Sequence, residues 1–387
     1  MRLGRFSFLF MGLVALFMAC KNEPSAQKTG PSVSSASREV NKGFYKHFRG
    51  TIGTAPVTMD LVKTTTPFNE EPLPHLSGFY SYDKYEQPIL IYGSIDALGA
   101  VQMTESDADA TGAIFTGKID ANGSFSGTWV DTTKKLKQDF RLQEVTDSSI
   151  VAFDIFPFED SIKLRPNVAK SPKAEFSMDA LMPAKNTEGS LFEFLRRQII
   201  MDLKGDSVAG SYAKLQMSDV QQTARDSFFA RYKSDMAENT IDTTDEPFTM
   251  SYTIATSIDV MSNVNGLLTL AFKEYSYTGG AHGNYGTQLR TYDIKNKKVV
   301  TLDDLFKPNY KSVLNAAVVR SARRHFNVPP KESLKDRLFS TGVEANDNFM
   351  VNKKGILFNY VPYEIASYAE GEIQLFVPFD ELKAILK

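Results

Sequence analysis

Two side chains in the second half of the sequence have the chemistry for acid–base catalysis or for hydrogen-bonded recognition. His282 lies in a stretch, Tyr275 to Gly286, that holds four glycines and three tyrosines. Glu364 follows Tyr363 in a second tyrosine-containing segment. An imidazole and a carboxylate that meet in one cleft would suit hydrolysis of a carbohydrate or an ester. Alternatively, His282 fixes its own loop by bonding to the backbone, and Glu364 pairs with a loop N–H or an arginine.

The glycine-rich stretch is longer than a strand connection requires. Alternating apolar residues predict strands at 266–274 and 287–294, and a tight hairpin between them would need only Asn-Gly. Dense glycine indicates positive φ angles or close approach of the backbone to another group. We therefore predict a binding surface made by loop 277–286 and segment 363–370. Its candidate residues are Tyr277, Gly279, Gly280, His282, Tyr285, Tyr363, Glu364 and Tyr368.

Other kinds of site find no support in the sequence. The four histidines lack the His-Glu-x-x-His spacing of zinc hydrolases, and neither a Gly-x-Ser-x-Gly elbow nor a phosphate-binding glycine loop occurs. A net charge of −2 gives no indication of a nucleic-acid partner. We expect no catalytic residue, no metal site and no cofactor.

The N-terminus resembles a bacterial lipoprotein signal. A short basic start precedes an apolar run, Phe8 to Ala19, that is too short to span a bilayer. The run ends at Cys20, which is the single cysteine of the chain. We predict a signal peptide at 1–19, lipidation of Cys20, a flexible tether at 20–42 and a lipid-anchored location in the cell envelope, in contact with the membrane through that lipid. The alternative is an ordinary signal peptide with an incidental cysteine.

The remaining chain predicts a multidomain fold. Residues 43–168 show short alternating strands with turn signals such as Asp120-Ala121-Asn122-Gly123, which is typical of an all-β antiparallel meander or barrel. Two interpretations of its interior stay open: a ligand cavity, which would make it a small-ligand carrier, or a barrel filled by its own side chains. The side chains that would line the cavity are Tyr80, Tyr82, Tyr92 and Trp129.

Residues 169–387 mix helical and strand patterns without regular βαβ alternation, which predicts an α+β domain with an antiparallel sheet and packed helices. A capping box at Ser190–Glu193 predicts a helix to about Leu203. Further helices are predicted from about Ser218 to Met236 and from Ser312 to Phe326, and a short one is predicted to begin at Asp380.

Four motifs in this second domain, in this order, resemble one family. They are Tyr277–His282, Asp303–Phe306, Phe358–Gly371 and Val377–Leu382. Together they closely resemble the extracellular domain of RsiV-type anti-sigma factors, and a similar domain pair occurs in some peptidoglycan deacetylases. The resemblance covers a variable first half, 169–260, and a better-defined second half, 261–387.

In that family the domain is a receptor, and one branch recognises lysozyme by inserting loops into its active-site cleft. The resemblance therefore implies a non-catalytic binding protein, with a lysozyme-like protein or a peptidoglycan fragment as its partner. The sequence shows neither the transmembrane segment of those anti-sigma factors nor a deacetylase domain, so we expect a fold and a binding surface rather than signalling or deacetylation. The competing hypothesis is a hydrolase centred on His282 and Glu364.

Overall fold

The computed structural model describes residues 43–64, 75–106, 112–131, 133–205, 215–238 and 248–387. The predicted signal peptide, the tether and Cys20 lie outside the described residues.

The first part of the chain is a closed antiparallel barrel. Each strand pairs with the next along the chain, and β1 also pairs with β8, which closes the sheet and removes its edges. This confirms the predicted all-β barrel. The strands are β1 (Phe44–Ile52), β2 (Ala55–Lys63), β3 (His75–Tyr82), β4 (Ile89–Ile95), β5 (Ala100–Glu105), β6 (Ile114–Ile119), β7 (Ser124–Asp131) and β8 (Leu136–Glu144).

Aromatic side chains fill the barrel interior. Phe125 and Phe140 meet edge to face with centroids 4.8 Å apart, and Phe115 contacts Phe140 at 5.4 Å. Near one end, the carboxylate of Glu105 accepts hydrogen bonds from Tyr80 and Trp129. These contacts favour the packed interior over the ligand cavity.

Tyr92 does not belong to the interior. Strand β4 alternates, with Ile91 and Ile95 facing inwards, and the side chain of Tyr92 is 47% exposed on the outer surface. Its predicted place in a cavity lining is therefore wrong.

The second part is built on a seven-stranded sheet with helices on one face. Strand β12 runs parallel to β11, because the chain crosses over between them through helices α1 (Gly189–Lys204) and α2 (Met217–Glu238). Leu195, Ile199 and Tyr232 of these helices join the sheet in one core. The strands are β9 (Phe153–Phe156), β10 (Glu159–Lys163), β11 (Lys173–Pro183), β12 (Tyr252–Val264), β13 (Leu267–Tyr277), β14 (Asn284–Asp293) and β15 (Lys298–Val299).

Helix α1 begins differently from the prediction. Its N-cap is Glu188, whose carboxylate accepts from the backbone N–H groups of Ser190 and Leu191. Glu193 pairs with Arg196 instead of closing a capping box. A glutamate side chain is long enough to reach the free N–H groups of the first turn, so the predicted N-cap at Ser190 is wrong by two residues.

The last part is a three-stranded antiparallel sheet, β16 (Phe349–Val351), β17 (Gly355–Tyr360) and β18 (Ile373–Pro378). The short helix α3 (Leu302–Leu305) and the longer helix α4 (Lys311–His325) precede it. Ser321 of α4 donates a hydrogen bond to the carbonyl of Phe376 at 2.7 Å, so the helix covers the β18 edge. The short helix predicted at Asp380 is a 3₁₀ turn, Phe379–Glu381.

The three sheets meet in a shared apolar cluster. It contains Phe79 from the barrel, Ala271 and Leu289 from the seven-stranded sheet, and Met350 and Leu357 from the small sheet. Through these contacts the described residues form one compact unit. Within the described ranges, no helix has the length and apolar character needed to cross a membrane.

Candidate functional site

The glycine-rich stretch connects β13 to β14, and three of its glycines are required by geometry. Gly279 and Gly280 have φ angles of +90° and +101°, which side-chain-bearing residues rarely adopt. Gly283 lies against the ring of Tyr275, so a Cβ at this position would come within 2.4 Å of the Tyr275 hydroxyl. The chain can fold back over its own tyrosine because no side chain stands in the way.

Tyr277 is buried beneath this loop and bonds to its backbone. Its side chain is only 6% exposed, and its hydroxyl donates to the carbonyl of Gly280 at 3.0 Å. The structure therefore places Tyr277 where it holds the loop in shape, whereas the sequence suggested a surface contact.

Segment 363–370 follows β17 and begins with a tight turn. The carboxylate of Glu364 accepts from the N–H of Val361 at 3.0 Å and from the side chain of Asn346 at 2.9 Å. Tyr363 has a φ angle of +70°, a left-handed conformation that is unusual for an aromatic residue. Its side chain is 54% exposed. The turn thus uses Glu364 to present Tyr363 to solvent, at a cost in backbone strain of the kind that collects at functional sites.

The two regions bring four aromatic side chains together, which we call the aromatic cluster: His282, Tyr285, Tyr363 and Tyr368. The His282 ring stacks on Tyr368 with centroids 4.1 Å apart. Tyr285 and Tyr363 each approach Tyr368 at 5.7 Å. The Tyr363 hydroxyl lies 3.4 Å from Nε2 of His282. Residues about 80 positions apart in the chain therefore form one exposed surface.

Buried polar groups fix the two regions relative to each other. Asn348 and Asn359, from the small sheet, both donate to the carbonyl of Thr287 in β14, and Asn348 also accepts from the N–H of Leu289 at 2.7 Å. Asn359 also donates to Glu372 at 3.2 Å. These side chains form hydrogen bonds with backbone groups at the edge of β14, where no neighbouring strand pairs with it. They therefore anchor segment 363–370 beside the loop.

Glu372 lies within reach of the aromatic cluster and was not among the predicted residues. Burial raises the pKa of its carboxyl, although hydrogen bonds from Thr287 and Asn359 act in the opposite direction. Burial also raises the pKa of the neighbouring Tyr285, with smaller contributions from Tyr368 and Glu372. A polar Asn359 inside the apolar run of β17 was the signal in the sequence that a buried polar network lies here.

His282 and Glu364 are not partners. The ring nitrogens of His282 contact the carbonyl of Gly283 at 2.7 Å and the hydroxyl of Tyr363. The Glu364 carboxylate is occupied by Val361 and Asn346. Within the described residues, no group of three or more His, Cys, Asp or Glu side chains is placed to hold a metal ion.

A groove of about 200 Å³ lies beside the aromatic cluster. Its walls include Thr256, Glu274, Gly286, Gln288 and Val361, together with the end of helix α1. Gly286 and Val361 belong to the same two regions as the aromatic cluster. The groove therefore shares these two regions with the aromatic cluster, although no side chain of the cluster lines it.

Two family models match separate parts of the chain. Residues 303–380 match the model described as a protein of unknown function, DUF3298, and residues 193–285 match the model described as deacetylase PdaC. The aromatic cluster draws His282 and Tyr285 from the PdaC-matching region and Tyr363 and Tyr368 from the DUF3298-matching region. The pair of matches thus corresponds to the domain pair inferred from the motifs.

Among curated proteins, the chain is similar to the peptidoglycan-N-acetylmuramic acid deacetylase PdaC of Bacillus subtilis strain 168. The two are 25% identical over 122 residues, which is 31% of this chain and 26% of that protein. The similarity therefore spans about a quarter of the deacetylase.

Two solved structures are similar in fold. A member of the DUF3298 family from Bacteroides fragilis NCTC 9343 superposes with a TM-score of 0.56 at 24% identity, covering 62% of this chain and 96% of that one. A DUF3298 family protein from Pseudomonas aeruginosa PAO1 gives a TM-score of 0.42 at 18% identity, covering 61% of this chain and 94% of that one. The first supports a shared fold for the matching region.

Proposed function

We propose that this protein is a lipid-anchored binding protein of the cell envelope, without catalytic activity, that recognises a lysozyme-like protein or a cell-wall glycan through the aromatic cluster. The observation that carries the proposal is the convergence of loop 277–286 and segment 363–370 on one exposed surface. Lipidation of Cys20 would hold the chain at the membrane, since acyl chains contribute about 0.8 kcal/mol per buried CH₂.

The composition of this surface supports a recognition role. Tyrosine offers a large apolar face and a polar tip at a low cost in side-chain entropy, and it is enriched in protein interfaces. Loops rich in tyrosine, glycine, serine and asparagine are typical of antibody binding sites for the same reason. The side chains of Tyr275, Tyr285 and Tyr363 are 42%, 37% and 54% exposed, so they are free to contact a partner.

Two lines of similarity bear on the partner. The resemblance to the extracellular domain of RsiV-type anti-sigma factors favours a protein of the lysozyme class. The similarity to a peptidoglycan deacetylase favours a glycan. A glycan would stack on the exposed face of Tyr363 and bond to the polar walls of the adjacent groove.

The same deacetylase similarity is the observation in favour of the alternative, a hydrolase. The contacts of Glu364 argue against the pairing with His282 on which that alternative depended, because the carboxylate is used to shape a turn. A third candidate, a small-ligand carrier built on the barrel, is disfavoured by the aromatic side chains that fill its interior.

Calorimetric titration of the full chain with hen lysozyme and with purified muropeptides tests the proposal. The variant to compare is Tyr285→Ala/Tyr363→Ala, since Tyr277 is buried and its loss would disturb the loop itself. Tyr92→Ala is the matched control, because this tyrosine is equally exposed but lies on the barrel. We expect one of the two ligands to bind wild type and the control alike, and to bind the double variant at least tenfold more weakly. Absence of binding to both ligands, or equal binding by all three proteins, would refute the proposal.

A further inference from the structure

A second cleft lies at the junction between the barrel and the two sheets, away from the aromatic cluster. It has a volume of about 270 Å³. On one side is the outer face of β1, β2 and β3, and on the other are the turn after β12 and the turn between β16 and β17. We call it the junction cleft. Clefts between structural units are frequent sites for small ligands.

The register of the barrel strands determines which side chains form its floor. Arg49 pairs with Thr58, and Thr58 pairs with Ser81, so these three form one row across the outer face. Asp60 and Phe79 pair in the next row. Partners in an antiparallel sheet share a face, and diagonal neighbours lie within reach of long side chains. The barrel therefore presents a guanidinium and a carboxylate side by side to the cleft.

Asp60 is a buried carboxylate with one oxygen available. The residue is 3% exposed. Its Oδ1 accepts hydrogen bonds from the hydroxyl of Tyr45 and from Nδ1 of His47, both at 2.7 Å. Among the described residues Oδ2 has no hydrogen-bond partner, although Asp60 lines the cleft. A carboxylate fixed by two hydrogen bonds is pre-organised to accept a third from a donor in the cleft. Hydrogen bonds to a charged acceptor are stronger than those between neutral groups.

Two cationic residues, Arg49 and Lys353, line the cleft, and Arg49 also helps to lower the pKa of Asp147. Within the described residues, neither Arg49 nor the ammonium group of Lys353 forms an ion pair. The other two acidic residues of the lining, Asp83 and Glu86, each accept a hydrogen bond from an uncharged donor. Thr58 donates to Asp83 at 2.9 Å, and the backbone N–H of Lys353 donates to Glu86 at 3.0 Å. Arg49 and Lys353 thus offer positive charge at the outer part of the cleft, beside the carboxylates of Asp83 and Glu86, and Asp60 offers negative charge at its floor.

We propose that the junction cleft binds a small zwitterion, an amino acid or a dipeptide. The ammonium group of the ligand donates to Oδ2 of Asp60, and its carboxylate is held by Arg49 and Lys353. The cleft volume of about 270 Å³ leaves room for a ligand of this size. A simple anion would supply no donor to Oδ2 of Asp60, and the Asp60 carboxylate would repel it. A simple cation would leave Arg49 and Lys353 unpaired.

Three related probes test both charges of the ligand. The full chain is titrated with L-alanyl-L-alanine, with its N-acetyl derivative, which lacks the ammonium group, and with its C-terminal amide, which lacks the carboxylate. We expect the unmodified dipeptide to bind with a stoichiometry of one, and each modified form to bind at least tenfold more weakly.

The variants Asp60→Asn and Arg49→Gln should each bind the unmodified dipeptide at least tenfold more weakly than wild type does. Asp60→Asn keeps an oxygen that can accept from Tyr45, and its unfolding curve checks that the fold is intact. Arg141→Gln is the matched control, since Arg141 is an exposed arginine on β8; it should bind as wild type does. Tyr363→Ala should also leave dipeptide binding unchanged, which separates this cleft from the aromatic cluster.

Three outcomes would overturn the proposal. The first is no binding of any probe up to about 10 mM, where even a millimolar dissociation constant would be detected. The second is a modified dipeptide that binds as tightly as the unmodified one. The third is a folded Asp60→Asn or Arg49→Gln variant with unchanged affinity.

Discussion

The imidazole ring of His282 stacks on the phenol ring of Tyr368, with centroids 4.1 Å apart and 29° between the ring planes. Tyr368 also contacts Tyr285 and Tyr363, so it is the ring that joins the other three. Aromatic pairs contribute about 0.5–1.5 kcal/mol each beyond the area they bury. The aromatic cluster is therefore a preformed arrangement of side chains around Tyr368.

Replacing Tyr368 should release His282. In Tyr368→Ala the ring current that acts on the His282 imidazole protons is removed, and their NMR signals should move towards the values of an unstructured histidine. Tyr92→Ala, on the outside of the barrel, should leave those signals unchanged. Identical His282 shifts in Tyr368→Ala and wild type would show that the two rings do not stack in solution.

Gly283 should be intolerant of a side chain. In Gly283→Ala the added methyl group meets the Tyr275 ring at 2.4 to 2.6 Å, so either the loop or the tyrosine must move. Overpacking of this kind costs about 1–3 kcal/mol, which urea unfolding would measure. Gly342→Ala is the control, because nothing lies within 4 Å of the added group and its φ angle is not left-handed. Equal stability of the two variants would contradict the close contact.

Asn348 should be needed to join β14 to the small sheet. Asn348→Ala leaves the buried N–H of Leu289 without its acceptor and removes one of the donors to Thr287. An unsatisfied buried polar group costs about 1–3 kcal/mol. The exposed Asn296 serves as control, and Asn296→Ala should change the free energy of unfolding by less than about 1 kcal/mol. If Asn348→Ala unfolds at the same urea concentration as that control, the asparagine is not a structural link.

Glu372 should make stability depend on pH in a particular direction. Because burial raises its pKa above the usual glutamate value of 4.5, the folded state binds a proton more tightly than the unfolded state does. The contribution of this group to the free energy of unfolding therefore decreases as the pH rises through the raised pKa. Glu372→Gln remains neutral, so it should gain stability relative to wild type as the pH rises from about 4.5 through the raised pKa. A pH-independent difference between the two proteins would contradict a raised pKa.

Much of the architecture follows from residue patterns. Alternation along β1 to β8 and turn signals such as Asn122-Gly123 predict the antiparallel strands, because a half-buried strand and a tight turn each restrict which residue types fit. The end of helix α1 also follows from a residue type. Gly205 comes directly after Lys204 and has a φ angle of +63°, the left-handed conformation that a glycine helix cap adopts.

The site was only partly predictable, because it depends on contacts between distant segments. Loop 277–286 and segment 363–370 are each conspicuous in the sequence, but their meeting depends on hydrogen bonds from Asn348 and Asn359 to the edge of β14. The polar Asn359 in an apolar run indicates a buried polar partner, but the sequence does not show which strand edge that partner belongs to. Nothing in the sequence shows that Tyr277 is buried while Tyr285 is exposed. The structure places Tyr275, Tyr277 and Tyr285 at the ends of β13 and β14, beyond the predicted strand bounds, and the burial of each is decided by what packs against it. For the same reason the role of Glu364 in shaping a turn could not be separated from a catalytic one.

Hydrogen–deuterium exchange of the full chain, with and without saturating lysozyme or muropeptide, tests most directly whether the two regions form one binding surface. We expect the ligand that binds to slow exchange in both loop 277–286 and segment 363–370, with no change in the barrel strands. Binding that protects only one of these regions, or neither, would show that they do not form one binding surface.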